Sequence, residues 1–131
     1  MVALDTGFFV AFMKGSEEAK SLWHEIKKDK IKPVVSILTI GELLYILYRE
    51  DRSKEIDVIV KRVASTSEII DTDITIVKKG AEIKHRQKIP YIDSLVGATA
   101  IVNGCKKLYT SDRKHMKGLK DYGLEVVFIR E

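Results

Sequence analysis

Three long windows of this chain are almost free of charge, although 32% of all its residues are charged. The windows are Met1–Met13, Pro33–Tyr48 and Ile89–Gly104, and apart from one acid in each they consist of apolar, small and uncharged polar residues. Segments of this composition belong in a protein interior, because burying charged side chains is costly. The windows therefore predict core-forming elements, and the charged stretches between them predict solvent-facing ones.

Each window keeps a single charged side chain, and in every case it is a carboxylate. The three acids are Asp5, Glu42 and Asp93. An interior accepts an isolated carboxylate when the group is protonated, ion-paired or bound to a metal. Three acids delivered singly by apolar elements therefore predict a shared site, for which a divalent cation is the simplest common partner.

Helix capping gives each acid a separate structural explanation. Asp5 suits an N-cap, and Asp93 suits the first turn of a helix. Glu42 suits a capping box with Thr39. Capping explains why an acid is permitted at each place, but not why three otherwise uncharged elements each carry one, so the pattern favours the shared site.

The chain has 131 residues and contains no repeat or low-complexity stretch, which predicts a single domain over residues 1–131. Its longest strictly apolar run, Phe8–Met13, is far shorter than the roughly 20 residues of a membrane span. Cys105 is the only cysteine, so no internal disulfide can form. We expect a soluble cytoplasmic protein without a membrane partner.

Local sequence patterns predict short strands that alternate with helices. The predicted strands are Val2–Leu4, Lys32–Val35, Glu68–Ile70, Lys107–Tyr109 and Leu124–Ile129. The predicted helices are Thr6–Met13, Ser16–Asp29, Ile37–Arg49, Lys54–Ala64, Asp73–Arg86 and Tyr91–Asn103. The helix over Ile37–Arg49 is apolar on nearly every side, which predicts that it is buried. The alternation predicts a three-layer α/β/α sandwich with a mainly parallel central sheet of four to five strands.

Ligands bind such sheets beyond the carboxyl ends of the strands, and Asp5 and Asp112 both follow predicted strands directly. Asp112 is therefore a fourth candidate acid. Thr6 and Ser111 each adjoin a candidate acid, and we expect their hydroxyls to orient carboxylates or water. Alternatively, both hydroxyls only form the local hydrogen bonds of turns and helix caps.

Carboxylate oxygens without His or Cys ligands suit Mg²⁺ or Mn²⁺. His24, His85 and His115 lie far apart without ligand spacing, which argues against a zinc site. A divalent ion activates water and neutralises phosphate charge, and the net charge of +4 favours a polyanionic partner. The pattern thus favours phosphodiester hydrolysis, and Arg113 and Lys114, beside Asp112, are the predicted substrate contacts.

Four segments together resemble the PIN domain, and most closely the compact VapC type of toxin ribonuclease. The segments are VALDTGFFVAFM, SILTIGELLYIL, YIDSLVGATAI and LYTSD, and the likeness runs essentially end to end. It places the family's four acids at Asp5, Glu42, Asp93 and Asp112, and its helper hydroxyl at Thr6. The sequence departs from the family pattern at Gly7, where a small hydroxyl is frequent, and at His115 and Met116, where an acid and Phe are frequent.

The resemblance implies Mg²⁺- or Mn²⁺-dependent cleavage of RNA. It further implies a homodimer and an antitoxin protein whose tail blocks the acidic pocket. A PIN-type processing or repair nuclease outside a toxin–antitoxin system is the close alternative.

Two alternatives come from other functional classes. A receiver-like signalling domain also has a Mg²⁺-binding acidic pocket, but Asp71 is a poor phosphoacceptor candidate and Arg130 stands where a Lys is expected. The other is a module that binds RNA or protein without catalysis. RNA retention without metal-dependent cutting would mark that module.

Overall fold

The computed structural model describes residues 1–130, which contain five β-strands and seven α-helices. The strands are β1 Val2–Leu4, β2 Val34–Ser36, β3 Glu68–Ile70, β4 Lys107–Thr110 and β5 Glu125–Phe128. The helices are α1 Thr6–Met13, α2 Glu17–Lys28, α3 Ile37–Arg49, α4 Ile56–Thr66, α5 Ile74–Gln87, α6 Tyr91–Val102 and α7 Arg113–Met116. Short 3₁₀ turns cover Ser53–Glu55 and Lys117–Tyr122. None of the helices in residues 1–130 has both the length and the apolar character needed to span a membrane.

The five strands form one sheet in the order β3-β2-β1-β4-β5, and every neighbouring pair is parallel. This confirms the predicted α/β class and its parallel sheet. The receiver-like alternative requires the order 2-1-3-4-5, which this sheet does not have. In addition, Asp71 follows β3, which is an edge strand.

Successive residues of the central strands point to opposite faces of the sheet and enter two separate cores. The pairs are Ala3 and Leu4 in β1, Val34 and Val35 in β2, and Leu108 and Tyr109 in β4. One core contains apolar side chains of α5, α6 and α7, and the other contains those of α1, α2, α3 and α4. Helices thus cover both faces, as the three-layer prediction requires.

The prediction that α3 is buried on nearly every side is wrong. Thr39, Leu43 and Leu47 are buried, but Tyr45 and Tyr48 are 64% and 65% exposed. Apolar periodicity reports which side chains avoid charge, and it does not distinguish a core face from an outward apolar face. The helix therefore presents a tyrosine-bearing surface to solvent.

The second strand lies slightly later than predicted, at Val34–Ser36. Ser36 completes this strand and also caps α3, where its Oγ accepts a hydrogen bond from the Leu38 amide at 3.1 Å. One residue thus ends β2 and starts α3 without a connecting loop. This tight connection places the start of α3, and with it Glu42, at the carboxyl end of the sheet.

Candidate metal centre

The predicted acids meet in one cleft at the carboxyl edge of the sheet. Asp5 follows β1 and Asp112 follows β4, two adjacent strands between which the direction of strand progression reverses. Such reversal points are the usual ligand sites of parallel α/β sheets. The cleft has a volume of about 230 Å³ and, among the described residues, is lined by Asp5, Thr6, Gly7, Val10, Glu42, Asp93, Val96, Asp112 and Met116. This lining has four carboxylates and neither Lys nor Arg.

Asp5 forms the floor of the cleft and is only 4% exposed. It is the N-cap of α1, where its Oδ1 accepts a hydrogen bond from the Phe8 amide at 3.0 Å. Burial raises the pKa of the Asp5 carboxyl to about 7; Asp93 and Asp112 add to the increase, while hydrogen bonds from Thr110 and Phe8 oppose it. Asp5 therefore both caps α1 and belongs to the acidic cluster.

Glu42 reaches the cleft from the second turn of α3. Its Oε1 accepts a hydrogen bond from the Thr6 hydroxyl at 2.6 Å, which orients the carboxylate. The alternative capping box with Thr39 is wrong, because Ser36 caps the helix and the buried Thr39 hydroxyl has no hydrogen-bond partner within residues 1–130. Glu42 is held by a residue distant in sequence, which indicates a role outside its own helix.

Asp93 and Asp112 form the rim of the cleft together with His115. The Nδ1 atom of His115 lies 3.0 Å from Asp112 Oδ2 and 3.4 Å from Asp93 Oδ2. Burial raises the pKa of Asp93 to about 6; Asp112 and Glu42 add to the increase, and His115 opposes it. Each of these three side chains offers one ligand atom, a carboxylate oxygen from each aspartate and a ring nitrogen from the histidine. These three atoms lie within 4.8 Å of one another, as metal ligands do.

His115 was not among the predicted site residues. The available signal was its spacing from Asp112, because a residue three positions after an N-cap faces the capping side chain. Asp112 caps α7, and its Oδ1 accepts a hydrogen bond from the His115 amide at 3.0 Å. The approach of His115 to Asp93 depends on the packing of α7 against α6, which is not evident from local sequence.

Thr110, at the end of β4, was also missed. Its hydroxyl accepts a hydrogen bond from the Asp112 amide at 3.0 Å and is hydrogen-bonded to the Asp5 carboxylate. The residue is fully buried. Thr110 therefore connects the floor acid to the rim loop.

Ser111 joins this loop to α1, because its hydroxyl donates a hydrogen bond to the Gly7 carbonyl at 3.0 Å. A Cβ atom on Gly7 would lie 2.7 Å from Ser111 Oγ, 2.9 Å from Ser111 N and 3.2 Å from Asp5 Oδ1. This close approach accounts for glycine where the family pattern often has a small hydroxyl residue. The expected role of Ser111 in orienting carboxylates or water stays a prediction.

Arg113 and Lys114 are exposed on α7 and lie outside the residues that line the cleft. The Arg113 guanidinium carbon lies 4.7 Å from the centre of the Phe128 ring, so the guanidinium group packs on a side chain of β5. Their contact with substrate stays a prediction.

Of the three window acids, Asp5 alone is buried as predicted. Glu42 is partly exposed, and the side chains of Asp93 and Asp112 are 23% and 33% exposed. The charge-free windows correctly marked elements that are mostly buried, but the acid itself is not always at a buried position of its element. The acids of α3 and α6 lie where these elements border the cleft.

The donor set fits a divalent cation. Four carboxylates share one small cleft, and their mutual repulsion contributes to the raised pKa values of Asp5 and Asp93. A cation would relieve this repulsion and would supply the positive charge that the lining lacks. Oxygen ligands of this kind suit Mg²⁺ or Mn²⁺.

The PIN domain family model matches residues 2–120, so this chain belongs to the PIN domain family. The predicted resemblance is thereby confirmed. A comparison with curated protein sequences finds no significant match.

Solved structures with the same fold include toxin–antitoxin proteins. VapBC2 from Rickettsia felis, bound to a DNA fragment from its promoter, has a TM-score of 0.78 at 20% identity, with 99% of this chain and 100% of that chain covered. A toxin–antitoxin complex from Klebsiella pneumoniae has a TM-score of 0.77 at 20% identity, covering 100% and 99%. The Mycobacterium tuberculosis sarcin-ricin-loop-cleaving toxin VapC20 has a TM-score of 0.74 at 18% identity, covering 100% of both. At these identities the likeness concerns the fold.

Proposed function

We propose that this protein is a Mg²⁺- or Mn²⁺-dependent endoribonuclease that hydrolyses RNA phosphodiester bonds, and the toxin of a VapBC-type toxin–antitoxin pair. The observation that carries the proposal is the meeting of Asp5, Glu42, Asp93 and Asp112 in one cleft at the carboxyl edge of the sheet. Family membership and the toxin fold of the structural neighbours support it.

The acids divide into two roles in this proposal. Asp5, Asp93 and Asp112 would hold the divalent ion. The bound ion would activate a water molecule as the nucleophile and neutralise charge on the scissile phosphate. Glu42, oriented by the Thr6 hydroxyl at 2.6 Å, binds the ion or positions the attacking water with its second oxygen. Thr110 keeps Asp5 and the Asp112 loop in fixed relation, so the centre is preorganised.

The substrate part of the proposal rests on charge. The chain carries a net charge of +4, and exposed Arg113 and Lys114 start the helix that Asp112 caps. Cations beside an acidic metal cleft suit the phosphates that flank a cleavage point. We propose that these two side chains position the RNA backbone, while the cleft holds the reacting phosphate.

The antitoxin is the proposed protein partner, and a second cleft supports it. An apolar groove of about 550 Å³ lies between α1, α2 and α4; its lining includes Phe12, Trp23, Val63 and the cations Lys54 and Arg62. An amphipathic segment with apolar and acidic side chains would match this surface, and its tail would continue to the acidic cleft. We also propose a homodimer in the cytoplasm.

The main test is incubation of the pure protein with total RNA, with and without Mn²⁺, followed by mapping of the new RNA ends. We expect defined cuts that need the ion, and none in EDTA or with Asp5→Asn. The exposed Asp57→Asn is the matched control and should cut normally. Undiminished cutting in EDTA would refute the metal mechanism.

A growth test separates the toxin from a processing or repair nuclease. Expression of the toxin should arrest growth, and co-expression of the neighbouring small gene product should relieve the arrest. A chain that cuts RNA but never arrests growth would favour the processing or repair alternative. The molar mass from light scattering would test the dimer.

A further inference from the structure

We propose that His115 is a nitrogen ligand of the metal centre and that it makes the centre prefer a first-row transition ion such as Mn²⁺ over Mg²⁺. The inference rests on the proposed metal-dependent function and goes beyond it by selecting the class of ion. It adds a ligand that is not one of the four acids.

The geometry of the rim carries the inference. His115 Nδ1 lies 3.0 Å from Asp112 Oδ2 and 3.4 Å from Asp93 Oδ2. Adjacent ligand atoms of an octahedral ion with bonds of about 2.1 Å are separated by about 3.0 Å. The nitrogen therefore lies about one octahedral edge from one carboxylate oxygen, and slightly farther from the other.

The position of His115 is fixed by its backbone as well as by its ring. Its amide donates a hydrogen bond to Asp112 Oδ1 at 3.0 Å, while its ring nitrogen faces Asp112 Oδ2. The following residue, Met116, is buried and lines the cleft. Asp112 thus places the imidazole at the rim through two contacts. Because an ionised carboxylate only accepts hydrogen bonds, Nδ1 carries the proton in the contact with Asp112 Oδ2, and an ion bound at Nδ1 replaces that proton while the ring keeps its place.

Ligand chemistry then determines the preferred ion. Mg²⁺ favours oxygen ligands and releases its water reluctantly, so an imidazole adds little to its binding. Imidazole nitrogen suits the later first-row ions Fe²⁺, Ni²⁺ and Zn²⁺ best, and Mn²⁺ is the weakest binder of that series. Mn²⁺ nevertheless accepts a nitrogen ligand more readily than Mg²⁺ does, so it is the minimal test of the preference. A centre of carboxylates with one imidazole should therefore discriminate against Mg²⁺ more strongly than a centre of carboxylates alone.

The competing explanation makes His115 an internal cation that pairs with Asp93 and Asp112 when no metal is bound. The two explanations predict opposite effects. Removal of a ligand weakens Mn²⁺ binding, whereas removal of a competing cation strengthens the binding of both ions. Replacement of His115 therefore distinguishes them by the sign of the change.

The direct test is electron spin echo envelope modulation of the Mn²⁺-loaded protein, which detects a ¹⁴N nucleus bonded to the ion. We expect nitrogen modulation in the wild type and its loss in His115→Gln. His24→Gln and His85→Gln are the matched controls, because both side chains are exposed and neither belongs to the ligand group of Asp93, Asp112 and His115, so each should retain the signal.

Equilibrium titrations with Mn²⁺ and Mg²⁺ give the second readout. We expect His115→Gln to weaken Mn²⁺ binding by about 10-fold or more and Mg²⁺ binding by less than about 3-fold. His115→Asp should favour Mg²⁺ relative to the wild type, because it restores an all-carboxylate set. Absence of nitrogen modulation in the wild type, or tighter Mn²⁺ binding in His115→Gln, would overturn the inference.

An RNA cleavage assay on the same samples separates this inference from the proposed function. Nitrogen coordination in a protein that cuts no RNA would support the inference and contradict the ribonuclease. Metal-dependent cutting without nitrogen coordination would support the ribonuclease and contradict the inference. Circular dichroism of each variant verifies that the fold is retained.

Discussion

The floor and the rim of the acidic cleft are built in different ways. Asp5 on the floor is 4% exposed and is held by the end of β1, by the Phe8 amide and by Thr110. Asp112 and His115 on the rim have side chains 33% and 31% exposed and belong to the start of a four-residue helix. The floor is fixed by the sheet, whereas the rim depends on a short loop and helix. We infer that the floor determines whether an ion binds, and the rim which ion and which substrate.

The largest expected effect follows from removal of the floor charge. Asp5→Asn should lower RNA cleavage by about 1,000-fold or more, because it removes a ligand worth several kcal/mol in the transition state. Asp112→Asn should lower it less, because its carboxylate is partly exposed and has neighbouring ligands. Single-turnover cleavage rates at fixed Mn²⁺ give the comparison. Equal losses in the two variants would contradict the distinction between floor and rim.

The pH dependence of stability tests the floor without catalysis. The Asp5 pKa of about 7 in the folded protein lies above its unfolded value of about 3.9, so the folded state holds more protons between these values. The contribution of Asp5 to the free energy of unfolding of the metal-free protein should therefore be highest below about pH 4. It should fall as pH rises towards 7, by up to roughly 4 kcal/mol.

Urea unfolding in EDTA at pH 5 and pH 8 measures this slope. Asp93, with a pKa of about 6, adds to the same trend. Asp5→Asn should flatten the slope and leave the metal-free protein more stable than the wild type at pH 8. An unchanged slope in this variant would show that Asp5 is not the group responsible.

Gly7→Ala should destabilise the protein by about 1–3 kcal/mol, because the added methyl would lie 2.7 Å from Ser111 Oγ and 2.9 Å from its backbone nitrogen. Gly41→Ala is the matched control. This glycine lies within α3 and its new Cβ would meet nothing within 4 Å, so the change should stabilise by about 0.5–1 kcal/mol. Thermal unfolding of both variants measures the two effects. Equal stabilities of the two variants would mean that the contact between α1 and the Ser111 loop is not tight.

Sequence patterns predicted the elements of the fold and all four acids of the cleft. The charge-free windows coincide with β1–α1, β2–α3 and α6. Core packing requires apolar residues along these elements, so their types and most of their boundaries could be predicted from the sequence. Asp5 follows a strand directly, and the rule for parallel sheets located it. Local composition carries this information because burial constrains every residue of such an element.

Other features that depend on contacts between distant elements were not predicted. The meeting of His115 with Asp93 requires α7 to pack beside α6, and the outward position of Tyr45 and Tyr48 requires knowledge of what covers α3. The burial of Glu42 and Asp93 was likewise overestimated, since the border of a cleft cannot be read from one segment. Only the folded arrangement shows these relations.

Thr6 connects the floor to α3 and offers an intermediate test. Thr6→Val removes the hydroxyl that donates to Glu42 Oε1 at 2.6 Å while keeping the side-chain volume. We expect about a 10-fold loss in metal affinity or cleavage rate, with little change in stability. Thr66→Val is the matched control, because Thr66 is a partly exposed threonine at the end of α4 and lies outside the acidic cleft. Full activity of Thr6→Val would show that Glu42 is oriented without it.

The smallest effect is expected at the outer rim, where Arg113 and Lys114 are exposed. Replacing both by Gln should weaken RNA binding by a few-fold and lower the slope of log affinity against log salt by about 1–2, since each cation contacts at most one phosphate. The Phe128 contact of Arg113 is solvent-facing, so stability should change by less than about 1 kcal/mol. Lys61→Gln on α4 is the control and should leave the slope unchanged. Binding is measured by fluorescence anisotropy with the Asp5→Asn protein in EDTA, so that cleavage does not interfere. An unaltered salt slope in the double variant would place the RNA backbone elsewhere and leave metal selection as the only role of the rim.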